Sequence, residues 1–270
     1  MMRTLILAGA LVASGSVALA QIPGTPGTDK SIETRGIVPP KDVAELAEAA
    51  YLSFVAEDFK DAEMTARLAL KSDPRGALAN AVLGNVLAAR GTFEGDQEQV
   101  AASREFIDKA LARDARLALA HNARGVALVG DGKLAEAQAA FAKAIDLDDG
   151  LAVAYGNLGW VQAQQKQFEE AERSYRRALK LDPDRAIPYN GLASVQGSLG
   201  RYEEMEKSCR DAIRRYEPAD RILGTFYANL AVALFEQRDQ TEALRAVAKA
   251  RALGLSRHPA YRVIEAAKNR

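Results

Sequence analysis

The 270 residues contain a single cysteine, Cys209, so no disulfide can form within the chain. Histidine is nearly as scarce, with only His121 and His258. That scarcity excludes most zinc sites and leaves Ser-His-Asp or Cys-His catalysis without its usual parts. Aromatic residues make up 6%. So few aromatics, beside frequent alanine, suit close helix packing better than a β-sandwich. Neither sign of charge prevails, with 36 Lys+Arg against 36 Asp+Glu. This balance argues against a surface built to grip nucleic-acid phosphates. Beyond residue 20 there is no apolar run of the ~20 residues that a membrane helix needs. GxxxxGK[ST], HExxH, CxxC and a GxGxxG following a strand are all missing. The expectation is therefore no enzyme, no cofactor, no metal site and no nucleic-acid partner. Hydrophobic residues at 48% and charged residues at 27% are nevertheless those of a folded soluble chain.

Residues 1–20, MMRTLILAGALVASGSVALA, place Arg3 before an apolar run and end in Ala18-Leu19-Ala20. This is the layout of a cleavable secretory signal peptide, with cleavage expected before Gln21. No twin arginine precedes the run, which favours the general secretion route, and no cysteine offers a lipid attachment point. The expected destination is a bacterial periplasm, with no integral membrane segment after cleavage. Residues 21–40 hold four prolines and three glycines and read as a flexible linker.

What is abundant is repetition. ARGVALVGDGKLAEAQAAFAKA aligns without a gap on NLGWVQAQQKQFEEAERSYRRA at an offset of 34. An alanine recurs at Ala69, Ala110, Ala144, Ala178, Ala212 and Ala250. A small residue recurs at Ala50, Gly84, Gly125, Gly159, Ala193 and Ala231. Both series give a unit of 34 with two insertions. Within 152–185, Tyr155, Leu158, Gly159 and Gln162 share one helix face, and Ala171, Tyr175 and Ala178 share another. Leu181-Asp182-Pro183 ends the second helix, because proline cannot continue it.

Tyr155-x-x-Leu158-Gly159, Ala171-x-x-x-Tyr175, Ala178 and Pro183 resemble the tetratricopeptide repeat, with Gln162 in place of the usual tyrosine. The resemblance implies an all-α, right-handed α-solenoid of about six helix-turn-helix repeats within 41–257. The copies are 43–76, 77–117, 118–151, 152–185, 186–219 and 224–257, with seven extra residues between the helices of the second. Residues 258–270 are expected to form a capping helix over the last repeat.

The resemblance also implies a concave groove, lined by first helices, that takes a protein or peptide partner. The candidate contacts are Asn122, Asn157, Trp160, Asn190 and Asn229, with Tyr51, Asn85, Ser194 and Phe235 in equivalent slots. Asparagine amides can donate to and accept from a peptide backbone, or can instead satisfy a bond between helices. Trp160 is an aromatic anchor or an ordinary packing residue. His121 and Cys209 occupy packing positions, and His258 reads as a surface residue. Residues 21–64 are net acidic and 238–270 net basic, a pattern open to self-association or to simple solvation of the ends. The expected function is a non-enzymatic scaffold of the cell envelope, in pilus or other complex assembly. The alternative is an accessory subunit for cell-wall or cytochrome-maturation enzymes.

Overall fold

The computed structural model describes residues 43–216 and 218–267. The signal peptide expected at 1–20, the linker at 21–40 and the last three residues of the expected cap lie outside them. The described residues form thirteen helices and no strand. One compact unit spans 43–157 and a second spans 158–267. The first holds α1 (Val43–Val55), α2 (Phe59–Ser72), α3 (Ala77–Glu94), α4 (Gln97–Arg113), α5 (Ala118–Gly130) and α6 (Leu134–Leu147). The division falls inside α7 (Ala152–Gln164). The second continues with α8 (Phe168–Leu181), α9 (Ala186–Ser198), α10 (Tyr202–Arg215), α11 (Arg221–Glu236), α12 (Gln240–Ala252) and α13 (Pro259–Ala267). In each unit a helix packs on its successor, and first helices also pack on one another, α1 on α3 on α5 and α9 on α11. This is solenoid packing of helix pairs.

The turns have a recurring chemistry. Asp73, Asp114, Asp148 and Asp182 each follow a second helix, and each carboxylate accepts the backbone N–H two residues on, at 3.0, 2.8, 2.9 and 3.4 Å. Such a local bond gives the backbone an alternative to another helical turn. Proline follows only Asp73 and Asp182, so the aspartate, rather than the proline picked out from sequence, is the recurrent stop. Inside the pairs one residue turns left-handed: Gly132 and Gly200 at φ 75° and 71°, but Lys166 at 62° and Arg238 at 68°. Glycine adopts this region freely, whereas a Cβ makes it costly.

Small residues let paired helices close. A Cβ on Gly125 would lie 2.4 Å from the Phe141 ring. In the second unit the Tyr175 ring lies between Gly159 and Gly191, whose added Cβ atoms would sit 3.0 and 2.2 Å away. The seven extra residues of the second copy differ from expectation. They lengthen α3 to 18 residues and α4 to 17, leaving only Gly95 and Asp96 between them. Gly95 is left-handed and closes α3, while the Asp96 carboxylate accepts from the N–H groups of Glu98 and Gln99 and opens α4.

The last helix corrects the reading of His258, which is 9% exposed rather than on the surface. Its Nδ1 accepts from the Ala260 N–H at 3.3 Å, and its ring packs against Tyr261. The imidazole thus opens α13 and shields its buried side, Ala260, Tyr261 and Ile264. Burial lowers its pKa below the ordinary 6.5.

Candidate functional site

The recurrent asparagines come together in each unit. In the first, Asn122 Nδ2 on α5 donates to Asn85 Oδ1 on α3 at 2.7 Å, and Asn157 Nδ2 on α7 donates to Asn122 Oδ1 at 3.0 Å. Asn85 Nδ2 donates to the carbonyls of Ala81 and Leu119, both at 2.9 Å. In the second unit Asn229 Nδ2 on α11 donates to Asn190 Oδ1 on α9 at 2.6 Å. Asn85, Asn122, Asn190 and Asn229 are all buried. These amides therefore fasten one first helix to the next, which fixes the spacing of the face above them.

Asn157 differs from the other rungs, being half-buried. Its amide nitrogen is engaged inward, and its carbonyl oxygen has no bond among the described residues. Trp160 is also half-buried and packs against the cluster of Ala163, Tyr175 and Leu192. Its indole N–H is buried without an acceptor, so only the ring is open to a partner. Tyr51 and Phe235 are half-buried and pack on their local cores, and Ser194 is buried.

The remaining singled-out residues have structural settings. His121 Nε2 lies 3.0 Å from the Ala115 carbonyl, bracing the entry to α5. Cys209 is buried, and desolvation, with Glu206 adding to it, pushes its thiol well above the ordinary range, so it is a poor nucleophile. Glu169, Glu170, Glu203 and Glu204 stand in the first turns of α8 and α10, where they favour the helix dipole.

A buried polar cluster in the second unit escaped the sequence reading. Glu172 on α8 is 3% exposed and meets Arg201 at 2.5 Å and Arg176 at 2.9 Å. Arg176 reaches on to Glu204 at 2.6 Å. Gln196 donates to Glu172 at 3.5 Å, and Gln162 accepts from Ser174 at 2.7 Å. The signal was present: Gln162 and Gln196 are one repeat length apart, each where the repeat usually has an apolar or aromatic residue. In the first unit Glu63 plays a similar part with Arg90 and Arg67. Partial burial pushes its pKa up, but the two guanidiniums outweigh this and hold it below the ordinary value. Among the described residues no group of three or more His, Cys, Asp or Glu could hold a metal ion. No described helix is long and apolar enough to cross a membrane.

Family models described as tetratricopeptide repeat match residues 118–150, 152–185 and 187–217. No curated protein is significantly similar to the chain. Among solved structures, PilW, a type IV pilus biogenesis factor, aligns with a TM-score of 0.58 at 22% identity, over 78% of this chain and 92% of that one. PilF of Pseudomonas aeruginosa gives 0.56 at 19% identity, over 76% and 88%. YrrB, described as having an unusual peptide-binding site, gives 0.54 at 19%, over 76% and 98%. At these identities the likeness is one of fold.

Proposed function

We propose that this chain, whose repeats are tetratricopeptide repeats, is a non-enzymatic scaffold that holds an extended segment of a protein partner on its first-helix face. The observation that carries the reading is the division of labour among the asparagines. Asn122, Asn190 and Asn229 are buried and bonded to other rungs, whereas Asn157 leaves its carbonyl oxygen to accept a backbone N–H. Asn157 is thus the backbone reader, the exposed side of the Trp160 ring is a separate apolar contact, and the buried rungs set the helix spacing. The signal-like residues 1–20 support export to the periplasm, and the pilus-biogenesis role printed for PilW supports a place in envelope-complex assembly.

The test is capture of partners from the envelope fraction, with mass spectrometry, by the native chain and by Asn157→Ala, Trp160→Ala and Lys180→Ala. The first two should each lose the shared partner at retained helicity, and the change on α8 should keep it. A partner lost with Lys180→Ala and kept with both others moves the binding face to the second helices. A mature protein beginning at Met1 rather than Gln21 in the native host removes the envelope from the proposal.

A further inference from the structure

A separate feature stands out where the repeat breaks its own rule. The residue before the small first-helix residue is leucine in four copies: Leu83, Leu158, Leu192 and Leu230. Leu83, Leu192 and Leu230 are buried. In the third copy the same position is Arg124, and its side chain is 47% exposed. A cavity of about 350 Å³ opens beside it in the first unit, between α4, α5 and the turn into α6. Its inner wall is apolar, from Ile107, Ala127 and Leu128. Its rim is charged, from Arg104, Arg124, Lys133, Asp108 and Asp131.

The charges do not cancel. Arg104 pairs with Asp131, and Arg124 lies 3.6 Å from Asp108. Lys133 has no acidic partner among the described residues, so three cations face two carboxylates. A guanidinium carries five N–H donors, and one long contact leaves most of those on Arg124 unused. An apolar wall with a rim one charge in excess suits a ligand that is aliphatic at one end and anionic at the other. The volume is at the small end of the roughly 300–1,000 Å³ range of ligand sites, the scale of one residue or a short chain.

We infer that this cavity is a binding site for an aliphatic carboxylate, whose branched hydrocarbon end enters the slot that leucine fills in four of the other repeats. The carboxylate meets Arg124 and Lys133 at the rim, and planar guanidinium donors match its two oxygens. Two sources share this chemistry: a free aliphatic acid, and the C-terminal residue of a peptide ending in leucine. The site is independent of the first-helix face proposed above.

The experiment is calorimetric titration of the full chain with three probes: acetyl-Gly-Leu with a free carboxylate, the same dipeptide as its C-terminal amide, and 4-methylpentanoate. The free-carboxylate dipeptide should bind, and the amide at least tenfold more weakly. If 4-methylpentanoate equals the dipeptide, the source is a free acid; if it is much weaker, the source is a peptide terminus. Arg124→Leu introduces the residue of four other copies, so it should raise the urea midpoint while weakening the dipeptide at least tenfold. Lys133→Gln, exposed at the rim, provides a second variant and should also weaken it severalfold. The inference is overturned by equal affinity for acid and amide, by unchanged affinity in both variants, or by no binding to the native chain at millimolar probe.

Discussion

Replacing Asn122 by alanine tests whether the asparagine rungs hold the repeats together. The side chain is fully buried and bonded on both sides, to Asn85 Oδ1 at 2.7 Å and from Asn157 Nδ2 at 3.0 Å. Its loss strands Asn85 Oδ1, on a residue only 1% exposed, and a buried polar group left unpaired costs about 1–3 kcal/mol. Asn157 is half-buried and recovers a water, so its side of the break contributes little. The expected total is about 2 kcal/mol. With a urea slope of roughly 1–3 kcal/mol per molar, the midpoint should fall by about 1 M. The Asn85→Ala and Asn122→Ala pair should be non-additive by about 1 kcal/mol, since the double variant has no stranded oxygen. Urea titration followed by circular dichroism at 222 nm measures all three variants. An Asn122→Ala cost within about 0.5 kcal/mol, with no coupling, would refute a structural ladder.

Gly125→Ala places a methyl group 2.4 Å from the Phe141 ring. Overpacking of about 1–3 kcal/mol should exceed the roughly 1 kcal/mol gained in helix propensity, and Phe141→Leu should partly rescue it in thermal melts. Lys166→Gly removes a Cβ from a left-handed residue and should stabilise by up to about 1 kcal/mol in a urea titration, whereas Gly200→Val should destabilise. The folded pKa of His258 lies below its ordinary 6.5, so the unfolded chain binds the proton first. Its contribution is therefore full above pH 6.5 and is lost as pH falls through that value towards the folded pKa. Hydrogen exchange of α13 should accelerate from pH 7.5 to 5.5, after correction for intrinsic rates, and His258→Phe should abolish the difference. Glu63, held below 4.5, keeps its ion pairs across that window, and its own contribution is lost only at lower pH.

The repeat fold was legible because a helix pair of fixed length must place small residues where backbones approach. Gly125 over Phe141, and Gly159 over Tyr175, are local consequences of a 34-residue period written in the chain. Asparagine identity was legible too, but whether its amide faces a partner or another helix depends on where the preceding helix lies. That is decided by packing: only with α3 beside α5 does Asn85 Oδ1 come within 2.7 Å of Asn122 Nδ2. His258 was misread for the same reason, because burial beside Tyr261 comes from α13 folding back on the last pair and not from the residue's sequence neighbours. Extra residues in the second copy looked like a loop, yet Gly95 and Asp96 confine the turn and let hydrogen bonding extend both helices. Arg124 was visible as a break in a column of leucines. Only the tertiary structure showed that its outward side chain leaves an open cavity, since an empty volume is a property of neighbours and not of any one residue.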